Sequence, residues 1–96
     1  MWHLYLIQNN KTLERYIGIT TDIERRIGEH NQGLNKSTRR VNGLAQHQRD
    51  GAGEWILIYA ESYRSKDDVV IRERKMKMYG KSKQELLKRC INSLIK

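Results

Sequence analysis

A single cysteine, Cys90, carries all the thiol chemistry of this 96-residue chain. One thiol excludes an intramolecular disulfide and any metal cluster built from several cysteines. Set among Leu86, Leu87, Ile91 and Leu94, Cys90 reads as a small buried hydrophobe. No apolar run approaches the ~18 residues that a membrane-spanning helix requires. No charged-then-apolar leader opens the sequence either, because Met1-Trp2-His3 passes straight into a strand-like pattern. A cytoplasmic location is the expectation. Internal repeats and low-complexity segments are absent, and acidic residues are in deficit. Nineteen Lys and Arg face eleven Asp and Glu, leaving a net charge of +8. A surplus of that size favours a polyanionic partner, nucleic acid ahead of an anionic membrane surface, with solubility alone as the plain alternative. The length suits one domain over residues 1–96, with one modest core.

What is present falls into short, well-punctuated segments. Trp2 to Ile7 and Arg15 to Thr20 are rich in aromatic and branched residues and are joined by a polar, Asn-containing connection, the signature of a hairpin. Alternation along the second strand places Tyr16, Gly18 and Thr20 on one face and Ile17 and Ile19 on the other. Antiparallel pairing then lets Tyr5 and Tyr16 project side by side, with open space beside one of them at Gly18. Thr21-Asp22-Ile23-Glu24 has the form of a capping box, and Asn31-Gln32-Gly33 that of a glycine stop, so a helix is predicted between them. At ~100° per residue, Ile23 and Ile27 lie ~40° apart and His30 falls ~20° from Ile23, with Arg26 at the edge of the same side.

Trp55 to Ala60 is almost continuously apolar, as expected of a central strand covered on both faces. Ser65 is an N-cap signal for a helix running to about Tyr79, along which Val69, Glu73, Met76 and Gly80 line one face. Ser82-Lys83-Gln84-Glu85 caps a last helix with Leu86, Leu87, Cys90, Ile91, Leu94 and Ile95 inward. The segment from Leu34 to Gly53 is loose, with a short helix conceivable over Val41 to Gln48. The fold class is α+β: a small three-stranded antiparallel sheet flanked by helices.

Five residues stand out for chemistry. Glu73 shares its helical face with Val69 and Met76, where a carboxylate is costly to bury without a cation. A salt bridge to a nearby basic residue would remove that cost, and so would a divalent ion. His30 by itself fits a satisfied helix histidine, Arg26 a solvated arginine or a partner of Asp22 or Glu29, and Tyr5 and Tyr16 ordinary strand residues. Singly, the plain reading is the better one for each. Their order and spacing change the balance. Tyr5, eleven residues to Tyr16-Ile17-Gly18, ten more from that tyrosine to Arg26, four more to His30, and Glu73 in a later helix together resemble the GIY-YIG nuclease superfamily. The stretch from Tyr16 to Asn31 is especially similar to the small stand-alone bacterial proteins of that group. The resemblance spans roughly residues 2 to 80. It departs from the pattern at the first tripeptide, His3-Leu4-Tyr5, where only the tyrosine is kept, and after the second, where Ile19, Thr20 and Thr21 replace a lysine found in some members. The stretch from Val41 to Gly53 is longer than in compact members and suits a substrate-contacting insertion.

The resemblance implies a Mg²⁺-dependent DNA endonuclease, with Mn²⁺ as an alternative ion. Tyr5, Tyr16, Arg26, His30 and Glu73 would be catalytic, and Glu73 would hold the metal. A phenol of pKa ~10 is a poor base at neutral pH. Arg26, the metal and a protonated His30 are therefore expected to depress it, or His30 to relay its proton; which of Tyr5, Tyr16 and His30 acts as the base stays open. Lys36, Arg39, Arg40 and Arg49 are the expected nucleic-acid-binding residues of the loop. A second basic set, Arg72, Arg74, Lys75, Lys77, Lys81, Lys83, Lys88 and Arg89, lies on the last two helices, where a solvated face is the slightly better reading. Contacts of this kind grip phosphates and read few bases, so low sequence specificity is expected. Duplex, branched or flapped DNA is the expected partner, RNA is a second polyanion of the same chemistry, and a homodimer or a partner protein would supply selectivity. The competing reading is a nucleic-acid-binding module on the same scaffold that does not cleave.

Overall fold

The computed structural model describes residues 1–33, 53–78 and 80–95. The short helix proposed within 41–48 and the loop cations Lys36, Arg39, Arg40 and Arg49 lie outside the described residues. Three strands, β1 (Trp2–Asn9), β2 (Arg15–Thr20) and β3 (Trp55–Tyr63), form an antiparallel sheet of order β2-β1-β3. Three helices accompany it: α1 (Ile23–Asn31), α2 (Lys66–Met78) and α3 (Gly80–Arg89). The α+β class and the three-stranded antiparallel sheet therefore stand as read from sequence.

The hairpin turn is organised by Asn9. Its side-chain oxygen accepts from the backbone N–H groups of Lys11 (2.9 Å) and Thr12 (3.0 Å), an Asx turn of the kind that favours asparagine here. Leu13 takes φ +65° to close the connection. Gln8, fully buried, ties the far end of the chain to this turn: its amide donates to the carbonyls of Leu13 and Ile95 and accepts from the Ile95 N–H at 2.7 Å.

β1 is the central strand, and the expectation that Trp55 to Ala60 fills that place is corrected. β3 is an edge strand on which Ile56 and Leu57 are exposed. Its register against β1 shifts between Leu6 and Ile7, since Leu6 faces Tyr59 and Ile7 faces Leu57, leaving Ile58 as an extra, bulged residue. A run of apolar residues tells how sticky a strand is, not how many neighbours it acquires. β1 takes both neighbours because hairpin closure gives it β2 on one side and leaves its other edge to β3.

The two faces of the sheet bury different material. On one, Leu4, Leu6 and Ile17 pack with Val69 and Met76 of α2, Leu86 of α3 and Cys90. On the other, Tyr5, Ile7 and Trp55 pack with Tyr16 and Ile27. α2 is anchored to β3 by a second contact: Arg72 grips Glu61 through three hydrogen bonds of 2.9–3.2 Å, while Tyr59 and Tyr63 donate to the same carboxylate. Two helix boundaries differ from the sequence reading. α1 is capped by Asp22, whose carboxylate accepts from the Arg25 N–H at 3.1 Å, and not by Thr21. α3 starts at Gly80, which puts Ser82 inside the helix, and it stops at Arg89 so that Ile91 points outward, 52% exposed.

Candidate active site

Tyr5 faces Gly18 across the β1–β2 pair, and Tyr16 faces Ile7 one step along. The two phenols therefore sit diagonally on one face, their ring centroids 6.3 Å apart. Gly18 does not leave a void, contrary to expectation. A Cβ there would lie 2.5 Å from the Tyr5 hydroxyl and 2.7 Å from its Cζ, so the glycine is what lets the phenol lie flat across β2. Tyr5 is 1% exposed as a result.

His30 arrives from α1. The helix is oriented by its Asp22 cap at one end and closed at the other by Gly33, whose φ of +76° is the left-handed conformation that glycine adopts without strain. The imidazole is buried, with its Nε2 2.9 Å from the Tyr5 hydroxyl and its ring 4.9 Å from that of Tyr16. Trp55 forms a further wall, 6.4 Å from His30. One turn before His30, Arg26 pairs with Glu29 at 2.8 Å, and its cation lies near enough to the Tyr5 phenol to act on its titration. Its neighbour Arg25 points away, to Asp22 and Glu29 at the surface.

Electrostatics set the protonation states. Burial pushes the Tyr5 phenol up to about 12; the Arg26 cation pulls the other way but does not prevail, and the Tyr16 phenol and the Glu73 carboxylate add to the rise. Burial lowers His30 to about 4, with the Arg26 cation acting in the same direction. Of the two alternatives raised from sequence, these shifts run against a protonated His30 that depresses Tyr5 and agree with His30 as a proton relay. The pair is a neutral phenol beside a neutral imidazole. The Tyr5 hydroxyl and His30 Nε2 share one hydrogen bond, which Tyr5 donates in the Nδ1–H tautomer of the imidazole.

Glu73 comes from α2, the helix that packs on the opposite face, yet its charge reaches Tyr5. The side chain is 22% exposed and pairs with the Lys77 ammonium at 3.3 Å, so the salt-bridge reading of Glu73 is realised in part. Lys77 itself is 58% exposed and easily exchanged. A half-buried carboxylate whose counter-charge is a loosely held surface lysine suits a hard divalent cation. No cluster of three or more His, Cys, Asp or Glu side chains able to hold a metal occurs among the described residues. Any such ion would rely on water and substrate oxygens for its other ligands.

All five residues singled out in the sequence thus lie at or within electrostatic reach of one phenol. The profile of the GIY-YIG catalytic domain matches residues 1–86. The chain belongs to the GIY-YIG family. Its similarity to known proteins runs through UPF0213 proteins. One from Vibrio parahaemolyticus is 35% identical over 86 residues, covering 90% of this chain and 71% of that protein. One from Halobacterium salinarum is 33% identical over 87 residues, covering 91% of this chain and 99% of that one. One from Vibrio campbellii is 31% identical over 86 residues, covering 90% and 72%. No solved structure matches the chain. Membership of the GIY-YIG family carries a nuclease-type function, and no described helix is long and apolar enough to cross a membrane.

The role of one residue of this GIY-YIG site escaped the sequence reading. Asn31 mimics a strand partner for Trp55: its Oδ1 accepts the Trp55 N–H at 2.7 Å and its Nδ2 donates to the Trp55 carbonyl at 3.3 Å. This clasp fixes the end of α1, and with it His30, against the start of β3. The signal was a polar residue directly after His30, but its partner is 24 positions away and nothing local announces it.

Proposed function

We infer that the chain, acting as one catalytic module over residues 1–96, is a metal-dependent DNA endonuclease that hydrolyses phosphodiesters with low intrinsic sequence specificity. The observation that carries this reading is the Tyr5–His30 hydrogen bond of 2.9 Å with the Arg26 cation near the phenol. It is a proton path ending beside a fixed cation, more than packing requires. In the reaction, Tyr5 takes a proton from the attacking water onto its oxygen as its own proton passes to His30 Nε2. A phenol that stays near 12 never has to exist as a free phenolate, because the two transfers are concerted through a preformed bond. Tyr16 packs on His30 and confines the imidazole to the orientation that receives the proton. Arg26, a planar and permanently charged donor, grips a phosphate oxygen and stabilises the charge that grows there.

Glu73 would hold a Mg²⁺ ion, or Mn²⁺ in its place, which when bound supplies electrostatic stabilisation of the phosphate and of the departing oxygen. Lys77 must yield for that to happen, and its exposure makes the exchange inexpensive. Lys36, Arg39, Arg40 and Arg49 would add sequence-independent phosphate contacts. The test is cleavage of plain, branched and flapped DNA duplexes with Mg²⁺, with a chelator, and with Glu73→Ala. The expected result is cutting that chelation abolishes and that Glu73→Ala lowers by on the order of 10³-fold. Binding without cutting by the wild-type chain would instead establish the non-cleaving module.

A further inference from the structure

A cleft of about 340 Å³ opens beside the site, where the free edge of β2 meets α2 and the start of α3. Arg15, Tyr16, Ile17, Met76, Lys77, Gly80 and Lys83 line it. Three of these are cations and none is a carboxylate, while Ile17 and Met76 make an apolar floor. The cleft is continuous with the site on two sides. Tyr16 is one wall, and the same ring packs at a tilt against His30. Lys77 is another, and its ammonium is the one paired with Glu73. Gly80 carries no side chain, and a Cβ there would meet nothing within 4 Å, so the entrance is open at the α2–α3 junction.

The geometry points to this cleft as a subsite for the DNA phosphate next to the scissile one, with the intervening sugar resting on Ile17 and Met76. The inference rests on the endonuclease reading for its substrate and adds to it where the strand runs. Like charges gathered round a concavity repel one another unless an anion joins them. Arg15, Lys77 and Lys83 are exposed like most other basic residues of α2 and α3, and what separates them is that they share one concavity. A nucleotide backbone matches the lining in kind: charge for the three cations, an apolar face for the floor. Lys77 links subsite and site, since its ammonium can turn from Glu73 to a phosphate in the cleft without any movement of α2. The cations that track the strand would then include Arg15, Lys77 and Lys83, a set distinct from the loop residues 36–49.

Binding of a fluorescein-labelled flapped DNA duplex, measured by anisotropy in EDTA over a salt series, tests this independently of cleavage. The variant Arg15→Ala/Lys77→Ala/Lys83→Ala is expected to bind on the order of 10-fold more weakly at low salt, with the slope of log affinity on log salt reduced by about two to three. The charge-matched control Arg64→Ala/Lys88→Ala/Arg89→Ala, at exposed positions away from the cleft, should lose clearly less. Equal losses in the two variants would overturn the subsite in favour of a general positive field. A methylphosphonate scan supplies the second arm: neutralising the phosphate beside the cut should weaken wild-type binding several-fold and leave the Arg15→Ala/Lys77→Ala/Lys83→Ala variant almost unaffected. Undiminished sensitivity in that variant would likewise overturn it. If wild-type protein binds and the cleft variant does not, yet nothing is cut with Mg²⁺, the endonuclease reading fails and the subsite stands; absence of wild-type binding removes both.

Discussion

The two faces of the sheet are built from alternate residues of the same strands and serve different ends. Leu4, Leu6 and Ile17 point into an apolar cluster with Val69, Met76, Leu86 and Cys90. Tyr5, Ile7 and Tyr16 point the other way, into a layer that also buries His30. A face of aliphatic side chains is stabilised by burial alone, roughly 25 cal/mol per Å² of apolar surface, and tolerates some exchange of shapes. The opposite face has to satisfy a phenol, an imidazole and an indole, and gains from them a directed hydrogen bond and two shifted pKa values. The period of two in a β-strand thus lets one short segment carry a packing core and a reactive layer. A shift of one residue in register would exchange them.

Crossed substitutions in β1 are the strongest way to break this comparison. Tyr5→Phe keeps the ring and removes the hydroxyl; cleavage should fall about 10²- to 10⁴-fold while stability changes by no more than about 1.5 kcal/mol. Leu6→Ala, next in the chain but on the other face, should cost about 2–5 kcal/mol of stability in urea unfolding. Its folded fraction should cleave at nearly the wild-type rate. If Leu6→Ala abolished chemistry in molecules shown to be folded, the division of labour would be wrong.

Acid should sharpen the contrast next. His30 titrates near 6.5 when unfolded and near 4 when folded, so below pH 6.5 the unfolded chain binds the extra proton. The stability associated with a neutral His30 is therefore complete above about 6.5 and is lost progressively as pH falls through about 4, on the order of 2–3 kcal/mol in all. Melting curves from pH 7 to pH 4 should show a steeper decline for wild type than for His30→Gln. Parallel declines would mean that the imidazole is not held neutral. Tyr5 contributes with the opposite sign at the alkaline end, where stability should fall as pH rises from 10 towards 12.

A smaller effect is expected at Gly18. Its alanine variant places a Cβ against the buried Tyr5 phenol, so the ring must shift off His30, with about 1–3 kcal/mol lost to overpacking. Activity should fall with it, and an NMR signature of the Tyr5–His30 bond should vanish even in folded protein. Smallest of all, Arg25→Ala removes an exposed pair on the outside of α1 and should change stability by less than about 1 kcal/mol and cleavage not at all. A large loss of activity there would show that the inward and outward arginines of α1 are not distinguished as their contacts indicate.

Local rules were enough to read β2 to the residue, the α1 helix with its inward imidazole and the Ser65 start of α2, because each depends on neighbours within a few residues; the five chemically distinctive positions emerged only from their order along the chain and the resemblance it carries. Alternation alone separated Tyr16 and Gly18 from Ile17 and Ile19. Tertiary contacts decided the rest. Which strand is central depended on β1 pairing with both β2 and β3, and an apolar run cannot announce how many partners it will have. The protonation of the site depended on burial: sequence lists cations near a phenol, but desolvation outweighed them and left Tyr5 and His30 neutral. The clasp of Asn31 on Trp55 and the path of Glu73 from one side of the sheet towards a phenol on the other join residues far apart in the chain. Such pairings exist only once the helices have packed, and with them come the proton path and the cleft beside it.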